Sequence, residues 1–63
     1  MTKKQALKEF REDIMPIIRE NERQYTNTPD ISLRRQEWGY FVESLYRDQR
    51  ISKRQVYNWD NPF

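Results

Sequence analysis

Residues 50–63 read "RISKRQVYNWDNPF", and they hold the most specific structural signal in the chain. Ser52 and Gln55 have the spacing of a capping box, in which each side chain accepts a hydrogen bond from the other residue's backbone N–H. Ile51 and Val56 flank that box at the spacing of a hydrophobic staple. Asn61-Pro62 then ends the segment. These signals predict a short C-terminal helix that closes a small helical core.

A longer helix is predicted before this segment, from about Pro29 to Arg47. Thr28 and Pro29 have the residue types of an N-cap and a first helical position. One apolar face recurs at steps of three and four residues; it consists of Trp38, Phe41, Val42 and Leu45. Leu33 and Tyr40 lie seven residues apart on nearly the opposite side. Such a second face is typical of a helix between two neighbours, or of one with an exposed binding stripe.

The N-terminal part predicts one long helix from about Thr2, a candidate N-cap, to Arg23. Its apolar stripe consists of Leu7, Phe10, Ile14, Ile17 and Ile18. An interior proline such as Pro16 costs about 3 kcal/mol and kinks or breaks a helix. Because the stripe stays in phase across Pro16, we expect one kinked helix. The alternative is a break at Asp13, with Pro16 in the first turn of a new helix.

The composition limits both the fold and the chemistry. With 63 residues the chain is one domain, 1–63, and it has no cysteine, no histidine and a single glycine. Disulfides, thiolate or imidazole metal sites, Cys–His and Ser–His–Asp centres and a glycine-rich phosphate loop therefore all lack their residues. We expect no enzymatic activity, no metal and no cofactor.

The predicted fold is an all-α domain of three helices. The kinked first helix packs antiparallel to the second, and the short third helix closes one end. Aromatic residues make up 14% of the chain, which is more than a disordered segment would carry. The expected core consists of Phe10, Ile14, Ile17, Trp38, Phe41, Leu45, Val56 and Trp59. No apolar run has the length of a membrane span or a signal peptide, so we expect a cytoplasmic protein.

Two surfaces are candidates for binding. The outward face of the third helix carries side chains suited to phosphates and base edges; these are Arg50, Lys53, Arg54, Tyr57 and Asn58. Its shortness and the flanking acids argue against a recognition helix, and a solvated face or a protein contact is the alternative. Leu33 and Tyr40 form the candidate surface for a protein partner. That face could equally pack within the fold or bury itself in a homo-oligomer.

Arg34 and Arg35 allow two interpretations. Adjacent cations of this kind can bind phosphate. In the alternative that we favour, one cation bridges two helices through an acid and the other lies in solvent.

The second half of the chain resembles a family of small, functionally uncharacterised proteins of tailed phages and prophages. The resemblance lies in "RRQEW" at residues 34–38, Phe41, Leu45, "RD" at 47–48, "IS" at 51–52 and "NW" at 58–59; Pro16 also fits. It covers about two thirds of the chain. The family pattern usually has glycine where this chain has Gln49, so the helix cap at Gln49 is either left-handed and strained by about 1 kcal/mol or built differently.

The resemblance implies a compact helical phage protein in the cytoplasm of a bacterial host. It implies no enzyme. The leading hypothesis is a non-enzymatic phage accessory protein that binds a host or phage protein and modulates or inhibits host machinery. The alternative hypothesis is a small nucleic-acid-binding protein that uses the basic face of its third helix.

Overall fold

The computed structural model describes all 63 residues, and every regular element in it is a helix. The four helices are α1 (Lys3–Asp13), α2 (Met15–Tyr25), α3 (Ile31–Arg47) and α4 (Lys53–Asn58). Together α1 and α2 correspond to the predicted first helix, while α3 and α4 correspond to the second and third. The predicted all-α class is confirmed.

The first predicted helix is interrupted at Ile14, which is the alternative that the sequence left open. The helix α1 ends at Asp13, and Pro16 lies in the first turn of α2, where an N–H has no partner inside the helix. Ile14 has φ −102° and ψ −44°, which is close to helical geometry. The molecule measures 36 × 18 × 18 Å, and about 23 helical residues in line span about 34 Å. Helices α1 and α2 therefore form one bent arm along the whole molecule.

The interruption changes which residues of α2 face the core. Phe10 is buried on α1, but Met15 and Ile18, not Ile14 and Ile17, are the buried apolar residues of the following turn. Ile14 is half-buried, and Ile17 is 68% exposed. The prediction of Ile17 as a core residue was therefore wrong, because it carried one helical phase across Pro16.

The core lies between the bent arm and α3. Among the predicted core residues, Phe10, Trp38 and Leu45 are buried, and Ile14, Phe41, Val56 and Trp59 are half-buried against them. The rings of Phe10 and Trp38 meet edge to face with centroids 5.3 Å apart, a favourable geometry for an aromatic pair. Ala6, Val42 and Ile51 complete the buried cluster. Phe10 is therefore the centre of an aromatic cluster that also contains Trp38, Phe41 and Phe63.

Helix α3 runs antiparallel to the bent arm. Near its start Arg34 bonds to Glu22 of α2, and in its middle Trp38 packs on Phe10 of α1. Just beyond its end Arg50 bonds to Glu9 of α1. Later residues of α3 therefore contact earlier residues of the arm, which is the predicted antiparallel arrangement.

The connection between α2 and α3 differs from the prediction at both ends. Helix α2 continues to Tyr25, so the loop is residues 26–30. The N-cap of α3 is Asp30, whose carboxylate accepts the N–H of Leu33 at 3.1 Å, and not Thr28. The carbonyl of Thr28 instead accepts the hydroxyl of Thr26 at 2.8 Å. Both residues are suitable caps, and in the folded loop it is the Asp30 carboxylate that lies within hydrogen-bond distance of the first turn.

The C-terminus of α3 is a left-handed cap. Gln49 has φ 63°, its N–H donates to the carbonyl of Tyr46 at 3.0 Å, and the N–H of Arg50 donates to that of Leu45 at 2.9 Å. This pair of bonds is the Schellman motif, which normally has glycine at the left-handed position. Of the two alternatives for Gln49, the strained left-handed cap is therefore the one present.

Helix α4 begins with the predicted capping box. Ser52 Oγ accepts the N–H of Gln55 at 3.2 Å, and Gln55 Oε1 accepts the N–H of Ser52 at 2.8 Å. After α4 the chain returns across α3, where the amide of Asn61 donates to the carbonyl of Arg35 at 3.1 Å. The ring of Phe63 then packs 5.6 Å from that of Phe10. The C-terminal segment therefore covers one side of the core.

Candidate binding surfaces

An apolar groove lies between α2 and α3. It has a volume of about 270 Å³ and is lined by Ile14, Ile17, Ile18, Asn21, Leu33 and Glu37; we call it the α2–α3 groove. Ile18 is buried and forms part of the core, whereas Ile17 is 68% exposed. Fully burying a large aliphatic side chain is more favourable than leaving it in water by roughly 1.5–3 kcal/mol. The groove is therefore a place where an apolar side chain from outside would gain contacts.

The two residues of the predicted partner surface differ in exposure. Leu33 is half-buried and packs against the core, so it belongs to the wall of the α2–α3 groove. Tyr40 is 56% exposed, and its hydroxyl accepts a hydrogen bond from Gln36 at 2.9 Å. The structure thus brings Leu33 together with Ile14 and Ile17, and leaves Tyr40 in solvent two turns further along α3.

The exposed apolar surface continues along α2 beyond the groove. A second shallow depression shares Ile17 and Asn21 with the groove and extends to Pro16 and Tyr25. Tyr25 is 78% exposed. Sequence reasoning missed this extension, although Ile17, Asn21 and Tyr25 are spaced by four residues and share one side of a helix. The signal was hidden because Ile17 had been assigned to the core.

A buried carboxylate fastens the corner between α2 and α3. Glu22 accepts two hydrogen bonds from the Arg34 guanidinium, both at 2.9 Å, and one from the N–H of Asp30 at 2.7 Å. The bonds from Arg34, followed by that from Asp30, lower the pKa of Glu22, and burial opposes them only in part. Arg34 therefore bridges two helices through an acid, as the favoured interpretation predicted, and the carboxylate oxygens are occupied by structural donors.

Arg35 is exposed, as expected for the second cation of the pair. Its guanidinium donates to the backbone oxygen of Phe63 at 3.0 Å, so it also holds the C-terminal segment. No group of three or more acidic side chains is arranged to hold a metal ion.

One of the five residues of the predicted nucleic-acid face, Arg50, forms an ion pair with helix α1. Arg50 donates two hydrogen bonds to Glu9 of α1, at 2.7 and 2.8 Å, and this pairing lowers the pKa of Glu9. Lys53, Arg54, Tyr57 and Asn58 remain exposed. Tyr57 is 76% exposed, with the Lys53 ammonium 6.0 Å from its ring centre. All five predicted residues are therefore exposed, but Arg50 is engaged with Glu9 and only the other four are free of an ion pair.

A second basic surface lies on α1, and sequence reasoning did not single it out. Lys4, Lys8 and Arg11 line a shallow groove of about 510 Å³, together with Leu7 and Glu12. Their spacing of four and three residues places the three cations in a row along one side of the helix. That spacing is the signal that could have revealed the row.

Comparison with known proteins adds no relative: no family model, no curated protein and no solved structure matches the chain. None of the helices has both the length and the apolar character needed to span a bilayer.

Proposed function

We propose that this chain is a non-enzymatic phage accessory protein that binds another protein through the α2–α3 groove. The observation that carries the proposal is Ile17, a large aliphatic side chain that is 68% exposed beside the half-buried Ile14 and Leu33. A continuous exposed apolar patch is typical of a recognition surface, and Ile17 joins the groove to the neighbouring depression that reaches Tyr25. The origin in a phage and the site of action in the bacterial cytoplasm rest on the sequence resemblance alone.

The groove suits a single apolar side chain of the partner better than a broad flat surface. Its volume of about 270 Å³ lies near the lower limit of small-molecule pockets, about 300 Å³. Tyr25 and Tyr40 lie outside it and are exposed enough to contribute to a rim. Apolar anchors that enter a pocket, surrounded by contacts that exclude water, supply most of the energy of typical protein interfaces. The proposed occupant is therefore an aliphatic or aromatic side chain of a host or phage protein.

Site-specific crosslinking tests this proposal. A photoreactive amino acid replaces Ile17 in one variant and Tyr46, which is 44% exposed on α3, in a matched control. Both proteins are made and irradiated in bacterial cells, and crosslinked species are identified by mass spectrometry. The proposal predicts one discrete adduct from position 17 and none of that mass from position 46.

Two outcomes contradict the proposal. One is the same set of adducts from both positions, which would mean that the groove has no preference. The other is an adduct at position 17 with twice the mass of the chain and sedimentation of the free protein as a dimer. In that case a second copy of the chain, and not another protein, covers the groove.

A further inference from the structure

The charges of this molecule are divided between its two ends. The contacts Glu9–Arg50 and Met1–Gln55 hold the start of α1 against the α3–α4 corner, so residues 1–11 and 46–60 form one end, which we call the basic end. It carries eight cations and three acids, a formal excess of five positive charges. Residues 12–45 carry four cations and seven acids, an excess of three negative charges, and two of these acids, Glu12 and Glu43, lie beside cations of the basic end. The net charge of +2 therefore conceals a much stronger local field.

Most cations of the basic end have no acidic partner. Arg50 is paired with Glu9, and Arg47 with Glu43. The remaining six take part in no ion pair; they are Lys3, Lys4, Lys8, Arg11, Lys53 and Arg54. Ordinary folding energetics do not require six unpaired cations at one end of so small a domain, because like charges held close together repel one another. An anionic partner would relieve that repulsion.

The cations of α1 and α4 lie on neighbouring elements. The side-chain amide of Gln55 in α4 donates to the carbonyl of Met1 at 2.6 Å, so α4 is anchored directly beside the start of α1. The row formed by Lys4, Lys8 and Arg11 extends from residue 4 to residue 11, a rise of about 10 Å along the helix. A row of that length matches a few successive phosphates rather than a single anion.

An exposed aromatic ring accompanies the cations. Tyr57 is 76% exposed and has the Lys53 ammonium 6.0 Å from its ring centre. Cationic side chains that follow a backbone and an aromatic ring on which a base stacks are the two parts of surfaces that bind single strands. Duplex recognition is disfavoured because α4 has only six residues, about 9 Å of helix, which is too short to read a major groove.

From these features we propose that the basic end binds single-stranded nucleic acid. Lys4, Lys8 and Arg11 of α1 and Arg54 of α4 contact phosphates, and Tyr57 stacks on a base. This surface differs from the one that the sequence predicted, because Arg50 is engaged with Glu9 and the row on α1 is added. It is separate from the α2–α3 groove, and the two proposals stand or fall independently.

The test measures fluorescence anisotropy of labelled oligonucleotides of about 12 nucleotides, a length within the known range of site sizes. The probes are oligo-dT, oligo-rU and a duplex of the same length. The proposal predicts tighter binding of one or both single strands than of the duplex. If about four phosphates are neutralised, the logarithm of the binding constant falls with the logarithm of salt with a slope of about −3.

Three exposed-site variants locate the surface. Replacing two cations of the row, Lys4→Gln with Lys8→Gln, should reduce the salt slope by about 1.4. The control Arg19→Glu changes the net charge by the same amount outside the basic end, at an exposed position, and should leave the slope unchanged. Tyr57→Ser should weaken binding roughly tenfold without changing the slope. Thermal unfolding confirms that each variant is folded before it is measured.

Three results would overturn the proposal. The first is the absence of any anisotropy change at about 50 mM salt and micromolar protein, conditions in which phosphate contacts are strong. The second is an equal effect of the Arg19 control and the α1 variant, which would mean that only net charge matters. The third is equal binding of duplex and single strands together with no effect of Tyr57→Ser, which would reduce the surface to general attraction of polyanions.

Discussion

The corner between α2 and α3 and the corner between α3 and α4 are built from the same parts, but they differ in burial. Each contains a residue in the left-handed conformation, Asn27 with φ 54° in the first and Gln49 with φ 63° in the second. Each is also fastened by a bidentate pair of a carboxylate and a guanidinium. In the first corner the Glu22 side chain is 7% exposed, whereas in the second the Glu9 side chain is 30% exposed.

The apolar residues of the two corners differ in the opposite direction. Ile31, at the start of α3, is 49% exposed, whereas Ile51, just before α4, is 6% exposed. The first corner is therefore held mainly by a buried ionic contact and the second mainly by apolar burial. Similar local parts thus contribute differently to stability, because the free energy of each contact depends on how far water is excluded from it.

The largest expected effect comes from the apolar residues of the two corners. Ile51→Ala removes a buried side chain and should lower the free energy of unfolding by about 2–5 kcal/mol. Ile31→Ala, at an exposed position, should change it by no more than about 0.5 kcal/mol. Because a domain of this size is stable by only about 3–5 kcal/mol, the first variant should lose a large share of its stability.

Urea unfolding followed by tryptophan fluorescence measures both variants against the unmodified protein. If Ile31→Ala lowered the free energy of unfolding as much as Ile51→Ala, apolar burial would not distinguish the two corners. Circular dichroism at low temperature shows whether Ile51→Ala retains helix, which separates loss of stability from loss of the whole fold.

The next effect comes from the two carboxylates. Hydrogen bonds from Arg34 lower the pKa of Glu22, and those from Arg50 lower the pKa of Glu9, both from an ordinary value of 4.5. A lowered pKa in the folded state means that each carboxylate adds stability above pH 4.5, and that this stability is lost as the pH falls through the lowered value. The protein should therefore become less stable as the pH falls below 4.5.

The neutral variants Glu22→Gln and Glu9→Gln separate the two contributions. Glu22→Gln should lower the melting temperature more at pH 7, because it leaves the half-buried Arg34 without its ionic partner inside the fold. The stability of Glu22→Gln should also depend less on pH in the acid range than that of Glu9→Gln. Thermal unfolding at pH 7 and at pH 3 measures both effects, and an equal fall for the two variants would contradict the difference in burial.

The second corner was the easier one to predict because its signals are local. Ser52 and Gln55 are three residues apart and satisfy each other's backbone N–H groups, so the helix start can be recognised without knowledge of the rest of the fold. The left-handed cap at Gln49 was one of two alternatives, and it followed from the family resemblance and not from the neighbouring residues. Local chemistry thus predicted most of this corner.

The first corner depends on contacts that short patterns do not reveal. Glu22 lies in a polar segment, and its partners Asp30 and Arg34 follow it by eight and twelve residues. The sequence predicted that an arginine of the pair at 34–35 bridges to an acid, but it could not select which acid. The start of α3 was placed too early for a related reason, since Thr28 and Asp30 are both capable caps and only the folded loop decides between them.

The α2–α3 groove was missed because of a single residue. The apolar stripe on the N-terminal part is compatible with one continuous helical phase, but the interruption at Ile14 turns α2 so that Met15 and Ile18 face the core. Ile17 then points to the groove instead. Periodicity alone cannot locate this break. Ile14 and Ile17 continue the apolar stripe of an uninterrupted helix, while Met15 and Ile18 supply an equally apolar stripe for an interrupted one.

The smallest expected effect comes from the two residues in the left-handed conformation. It compares the backbone strain of the two corners. Gln49→Gly should stabilise the protein by about 1 kcal/mol, since glutamine is strained in this conformation and glycine is not. Asn27→Gly should change stability by only a few tenths of a kcal/mol, because asparagine tolerates left-handed geometry better than other side chains. The unfolding midpoint in urea measures both. If Asn27→Gly stabilised the protein as much as Gln49→Gly, the tolerance of asparagine could not explain why the first corner contains it, and equal strain would have to be assigned to both corners.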